Sequence, residues 1–286
     1  MTTIAIIGAG GKMGCRVVDN LSKFDHRLFL VEVSEAGRAN LAQRGLTTTP
    51  QAEAIANAEV VILALPDRIM SRIAHELVPQ LRAGTLVITL DPAVPHAGGL
   101  PARQDISYFV THPCHPSVFE HLETEAERAD FFGGVHAKQV IVCALMQGPE
   151  SHYALGEQLA TQFLGPVIRS HRITVEQMAI LEPALTETCG LALVLALREA
   201  LEEAVRRGVP RAAAEDFMYG HLKVELGVAF GRVGFPVSDG AKLIAEYGRR
   251  RILRDDWLKL FEPESVKDQV QTILRHELSP PPEGHR

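Results

Sequence analysis

A run of apolar, mostly β-branched residues, Thr3-Ile4-Ala5-Ile6-Ile7, empties directly into Gly8-Ala9-Gly10-Gly11-Lys12-Met13-Gly14. This stretch restricts the fold more than any other. A buried strand that ends in a glycine turn, followed by helical spacing over Cys15 to Phe24 (Val17, Val18, Leu21), forms the first half of a parallel β-α-β unit. In such a unit the helix N-terminus offers free N–H groups and the positive end of its dipole to a pyrophosphate, and glycines let the backbone come close. A strict G-x-G-x-x-G from Gly8 would need glycine where Met13 stands, whereas G-x-x-G-x-x-G fits Gly8, Gly11 and Gly14. A second strand, Leu28 to Val31, ends in Glu32, about 20 residues past the turn, where an acid bonds the hydroxyls of an adenosine ribose. A carboxylate there repels a 2′-phosphate, and Val33, Ser34 and Glu35 bring no cation, although Arg38 is within reach; NAD is expected over NADP. Lys12 is placed to touch a phosphate.

Strand and helix signals continue to alternate. Val60 to Leu65, Thr85 to Leu90, Ile106 to Val110, Val140 to Leu145 and Pro166 to Ser170 read as strands, with helices at Ile69 to Leu81 and Tyr153 to Phe163. From about Ile173 the pattern turns helical: Val175 to Arg207, to be kinked or divided at Pro183, then Ala212 to Phe230, Ala241 to Leu253 and Pro263 to Glu277, with a frayed tail from Leu278. The expected fold is α/β: an N-terminal Rossmann-type, doubly wound, mostly parallel sheet over residues 1–172, then an all-helical domain over residues 173–286 for substrate binding and dimerisation. Long apolar helices in so small a domain call for a second subunit, so a homodimer is expected.

Composition removes other classes. A net charge of -6 and a pI near 6.1 give no basic surface for nucleic acid. Cys15, Cys114, Cys143 and Cys189 are scattered, without a C-x-x-C pair, which indicates neither a zinc knuckle nor a disulfide framework. The apolar stretch Gly190 to Leu197 is soon followed by Arg198, Glu199, Glu202 and Glu203, too short a run to span a bilayer; a cytoplasmic protein without membrane contact is expected.

In an open α/β sheet the ligand lies outside the carboxyl ends of the strands. Three loops satisfy that rule: Leu65-Pro66-Asp67, Asp91-Pro92-Ala93, and Thr111 to Pro116. Asp67 either contacts the cofactor or caps the next helix, and Asp91 either orients the nicotinamide side or serves its turn. The expected cofactor contacts are Gly8, Gly10, Gly11, Lys12, Met13, Glu32, Pro66 and Asp67. His112-Pro113-Cys114-His115-Pro116 sets two histidines on a proline-stiffened loop, suited to acid/base work on a hydroxyl or to a metal, with His136 a further neighbour. Glu182, beside Pro183 in an apolar helical run with Glu187 following, is either a helix-end acid or, with a histidine, a ligand of Zn²⁺, Mg²⁺ or Mn²⁺. The expected metal pair is His115 with Glu182, which leaves His112 or Lys223 for proton transfer. His221 and Glu225 stand at i,i+4, an ordinary spacing on a solvated helix.

On these motifs the chain resembles the 6-phosphogluconate/3-hydroxyacid dehydrogenase superfamily over nearly its whole length. It departs from the 3-hydroxyacid dehydrogenases, whose G-x-x-x-K-x-x-x-N lysine is replaced here by Val194 after Gly190. The glycine turn is similar to that of dihydrodipicolinate reductases, whose H-H-x-x-K signature is absent, and Thr111-His112-Pro113 to the His-Pro loop of prephenate dehydrogenases, without their arginine-rich pocket. The His-Pro-Cys-His-Pro loop, Phe132-Gly133-Gly134, Ala144-Leu145-Met146-Gln147-Gly148-Pro149-Glu150 and Glu182-Pro183-Ala184 resemble the proteins with a phosphogluconate dehydrogenase C-terminal domain, a group that includes the D-apionate oxidoisomerases. That resemblance implies NAD-dependent oxidation of a secondary hydroxyl on a small branched sugar acid, coupled to an α-ketol rearrangement. The alternatives are a plain 2- or 3-hydroxyacid dehydrogenase, or a non-enzymatic NAD-binding redox sensor.

Overall fold

The structure is a computed structural model and describes residues 1–278. The tail expected from Leu278 lies, beyond that first residue, outside the described residues. The chain divides into two compact units: Met1–Glu182 joined by the chain from Lys267 on, and Pro183–Val266.

The first unit is built on one sheet of seven strands: β1 (Thr3–Ile7), β2 (Arg27–Val31), β3 (Val60–Leu63), β4 (Leu86–Thr89), β5 (Ser107–Pro113), β6 (Gln139–Gln147) and β7 (Val167–Arg172), in the order β2-β1-β3-β4-β5-β6-β7. All neighbours run parallel except β5 and β6. The helices up to the end of this run are α1 (Lys12–Leu21), α2 (Glu35–Gln43), α3 (Gln51–Asn57), α4 (Asp67–Leu77), α5 (Ala93–His96), α6 (Glu125–Ala129), α7 (Glu150–Phe163) and α8 (Val175–Ala179). Successive strand residues point to opposite faces, so each face needs its own cover. Ile4, Ile6, Ile62 and Ile88 pack with Val17, Val18 and Leu21 of α1 and Tyr153, Leu159 and Phe163 of α7. Ala5, Ile7, Val61, Leu63 and Val87 pack with Ala54 and Ile55 of α3, Met70, Ala74 and Leu77 of α4, and Leu274 from the C-terminal end of the chain. The doubly wound sheet is thus as expected.

Three local expectations change. The Thr111-His112-Pro113 segment is not a loop but the last part of β5, whose pairing with β6 runs on to Pro113 opposite Ile141. Helices α2 and α3 appear where no helical periodicity was visible, because α2 buries only Gly37 and Leu41 and α3 only Ala54 and Ile55. Pro183 does not divide its helix. From Ile180 to Leu191 the backbone widens into a π-helix between α8 and α9 (Ala192–Arg206), which accommodates a residue that has no N–H to give.

The second unit continues from Pro183 through α9, then α10 (Arg211–Ala229) and α11 (Asp239–Ile252), with α12 (Pro263–Arg275) leading back into the first unit. It keeps little apolar surface from solvent: Leu201 is buried on α9, while Leu191, Val194, Phe217, Phe230, Leu243, Ile244 and Ile252 are all exposed.

Candidate active site at the carboxyl edge of the sheet

At its carboxyl edge the sheet opens a cavity of about 420 Å³, lined among others by Lys12, Met13, Leu65, Pro66, Asp67, Asp91, His112, His115 and Phe132. At the dinucleotide end Gly8 has φ +83°, and a Cβ there would meet the Ala64 carbonyl oxygen at 2.5 Å. A Cβ on Gly10 would lie 2.1 Å from the Gly37 carbonyl oxygen, and one on Gly14 2.0 Å from that of Gly8, whereas Gly11 finds its nearest neighbour at an ordinary 3.4 Å. The turn therefore requires glycine at 8, 10 and 14; Gly11 is the N-cap of α1. Glu32 follows β2, with Oε2 accepting from the Gly10 N–H at 3.0 Å and Oε1 from those of Val33 at 2.9 Å and Ser34 at 2.8 Å. Burial opposes the charge, but the donors of Ser34, Gly10 and Val33 outweigh it and hold the carboxyl below its ordinary range. Lys12 opens α1 and rests its Nζ 4.5 Å from the centre of the Phe132 ring. Asp67 begins α4 behind its N-cap Pro66.

The other end is assembled by two periodicities. Val110 of β5 and Val175 and Met178 of α8 share one apolar cluster. Two residues on from Val110, on the same face of the strand, stands His112; four residues on from Met178 stands Glu182. Thr174 fixes where that helix begins, accepting from the Gln177 N–H at 3.2 Å in a capping box. The outcome is His112 Nε2 at 3.2 Å from Glu182 Oε1. His112 Nδ1 lies 3.2 Å from the Leu90 carbonyl oxygen, which can only accept, so Nδ1 donates there and Nε2 is turned to Glu182. Burial pushes the His112 pKa below the ordinary imidazole value, against the pull of Asp91. One ligand atom each from Asp91, His112 and Glu182 lies within 4.8 Å of the other two. Asp91 also serves its turn, accepting the Ala93 N–H at 2.8 Å.

His115 stands beside this group, its ring centre 6.3 Å from that of His112. Its Nδ1 donates to the Phe132 carbonyl at 2.9 Å, which leaves Nε2 with the free lone pair. The residue has φ +60°, a left-handed conformation that costs a non-glycine residue on the order of 1 kcal/mol or more and marks functional loops. Hence the histidine that meets Glu182 is His112, while His115 is held by Phe132. Lys223 belongs to the second unit, exposed on α10. Asp91 is the residue whose part in this group sequence reasoning did not single out; its position at the end of β4 was the available signal.

Comparison with known proteins places the chain. Residues 120–274 match the family described as phosphogluconate dehydrogenase (decarboxylating) C-term, and residues 3–92 match NADP oxidoreductase coenzyme F420-dependent. The D-apionate oxidoisomerase of Cupriavidus necator is 49% identical over 271 residues, covering 94% of this chain and 98% of its own. That of Rhizobium rhizogenes is 50% identical over 276 residues, with coverages of 96% and 100%. The chain belongs to this family. A semialdehyde dehydrogenase NAD-binding protein from Cupriavidus necator, solved in complex with calcium and NAD, superposes with a TM-score of 0.94 at 47% identity, covering 96% of this chain and 99% of its own. An NADH-preferring ketol-acid reductoisomerase from an uncultured archaeon, at TM-score 0.64 and 18% identity, shares the fold over 96% of this chain and 82% of its own.

Proposed function

We propose that this family member is an NAD-dependent D-apionate oxidoisomerase, oxidising the C2 hydroxyl of a branched sugar acid and rearranging the resulting α-ketol, with a divalent cation held by Asp91, His112 and Glu182. The observation that carries the cation is His112 Nε2 facing Glu182 Oε1 at 3.2 Å, with Nδ1 already committed to Leu90 and a ligand atom of Asp91 within 4.8 Å of both. A contact of that length has a proton or a cation between its two atoms, and the gathering of a second carboxylate around it favours the cation. One imidazole with two carboxylates is an N/O donor set for Zn²⁺, Mg²⁺ or Mn²⁺.

The glycine turn and Glu32 would hold NAD, which when bound would accept the C2 hydride. His115 is the base for the C2 hydroxyl proton, its Nε2 freed for that purpose by the Nδ1–H bond to Phe132. The rearrangement that follows is an isomerisation: one carbon migrates from C3 to C2, the C3 hydroxyl becomes the carbonyl, and its proton is handed on to the C2 oxygen. Asp91, His112 and Glu182 would hold a cation whose Lewis acidity would polarise the ketone and lower the pKa of the neighbouring hydroxyl.

Purified protein given D-apionate and NAD should form NADH and a product whose carbon skeleton, read by NMR, has rearranged. Chelation should abolish turnover without lowering NAD affinity, and a divalent cation should restore it. Full turnover in rigorously metal-free protein would sink the cation reading. An oxidised product with an unchanged skeleton would reduce the enzyme to a plain hydroxyacid dehydrogenase.

The second unit supports a homodimer. By length and composition Val175–Arg206 could cross a membrane, with mean hydropathy 1.6 in its most apolar window and 11% of that window buried. That helix contributes Glu182 to the polar group above and carries Arg198, Glu199, Glu202 and Glu203 in its last turns. We read its exposed leucines as surface covered by a second copy in a soluble, cytoplasmic enzyme; a sedimentation mass of one chain would overturn this.

A further inference from the structure

We infer that Gly37 determines the choice between NAD and NADP, by leaving the space in which Glu32 lies. The inference rests on the reading of Glu32 as the ribose-binding acid. Gly37 is the third residue of α2, buried, and its N–H donates to the N-cap Ser34 Oγ at 3.0 Å. The three atoms that a Cβ on Gly37 would meet first all belong to the Glu32 side chain: Cδ at 2.4 Å, Oε2 at 2.5 Å and Cγ at 2.7 Å. No side chain fits there while the carboxylate keeps its bonds to Gly10, Val33 and Ser34.

What would yield follows from stiffness. The backbone of β2 is paired with β1 up to Val31, and α2 is capped by Ser34, so neither moves readily. The Glu32 side chain is a flexible arm, and swinging it out relieves all three contacts. Alanine also suits a helix better than glycine does, so the fold tolerates the change and the cost falls on the position of the carboxylate. A displaced carboxylate no longer accepts from Gly10 and no longer meets the ribose hydroxyls from a fixed place. Those N–H donors are then left vacant beside Arg38, whose Nε already bonds the Glu32 carbonyl oxygen at 3.2 Å. Such a group is suited to an anion, and the 2′-phosphate of NADP is the anion that would arrive there.

A double-mutant cycle on the full-length protein, with NAD and NADP affinities measured directly by titration, tests this without relying on turnover. Gly37→Ala should weaken NAD binding by about 10–100-fold, the worth of one or two bonds to a charged group, while NADP binding does not fall with it. In the Glu32→Ala background the same substitution should have no further effect, because the group it displaces is gone. A Gly37→Ala protein with the wild-type preference, or an equal loss of NAD affinity in both backgrounds, would overturn the role of Gly37 alone. A wild-type protein that prefers NADP would overturn the reading of Glu32 together with it.

Discussion

Glu32 directly follows β2 and Glu182 stands in the helix just beyond α8, and their surroundings differ. Glu32 receives three backbone N–H donors from Gly10, Val33 and Ser34, so its charge is met within the chain and its pKa is held down. In the proposed function it accepts hydroxyl donors from a neutral ribose. Glu182 instead faces the Nε2 of His112, with Asp91 in the same group. Under the proposed function the same side chain would serve two purposes, set by whether backbone amides or other ligands converge on it: recognition at the first end, a cation at the second.

The sharpest way to break that comparison is to remove the two histidines in turn. His112→Ala should lower turnover by about 10²–10⁴-fold, because losing the cation forfeits several kcal/mol of charge stabilisation. Bound metal, read by elemental analysis, should be lost with it, while NAD affinity stays near the wild-type value. His115→Gln should cost a similar factor through the missing base, yet keep its metal. Metal content is therefore the readout that separates them. If His115→Gln empties the metal site and His112→Ala does not, the histidine roles proposed for this end are reversed.

How legible each end was in the sequence follows from distance along the chain. Strand β1, the glycine turn, α1, β2 and Glu32 lie in one continuous segment whose pairing is local, so spacing alone brings Glu32 to the end of β2 beside the turn. Even there the spacing does not tell which glycine is sterically required: Gly10, not Gly11, meets neighbouring backbone, because the contact comes from Gly37 on α2, a helix without an apolar stripe to announce it. The reactive end joins residues separated by β6 and β7. Pro113 reads as a strand breaker, yet as the last residue of β5 it costs the sheet little, and the strand carries His112 onward to α8. The proline-stiffened loop then begins only at Cys114, which is why His115 looked the better partner for Glu182. Pro183 misled in the opposite direction, since a π-helix can pass through a proline that an α-helix would not.

The smallest effect tests the claim that Glu32 is complete without ligand. Its carboxyl is lowered from an ordinary value of 4.5 in the folded protein. A group of this kind adds stability that is fully present above its unfolded pKa and is lost as pH falls through the folded one. Glu32→Gln removes that contribution and with it two of the acceptor positions. In NAD-free protein the variant should melt on the order of 2–4 °C below wild type near neutral pH, with the gap closing as the pH drops below about 4. The measurement is a pair of thermal unfolding series in matched buffers across that range. A gap that is constant with pH would mean that the lost side chain mattered through packing, not charge. A gap that appears only when NAD is bound would mean that Glu32 is completed by its ligand rather than by the chain, and the contrast between the two ends would fall.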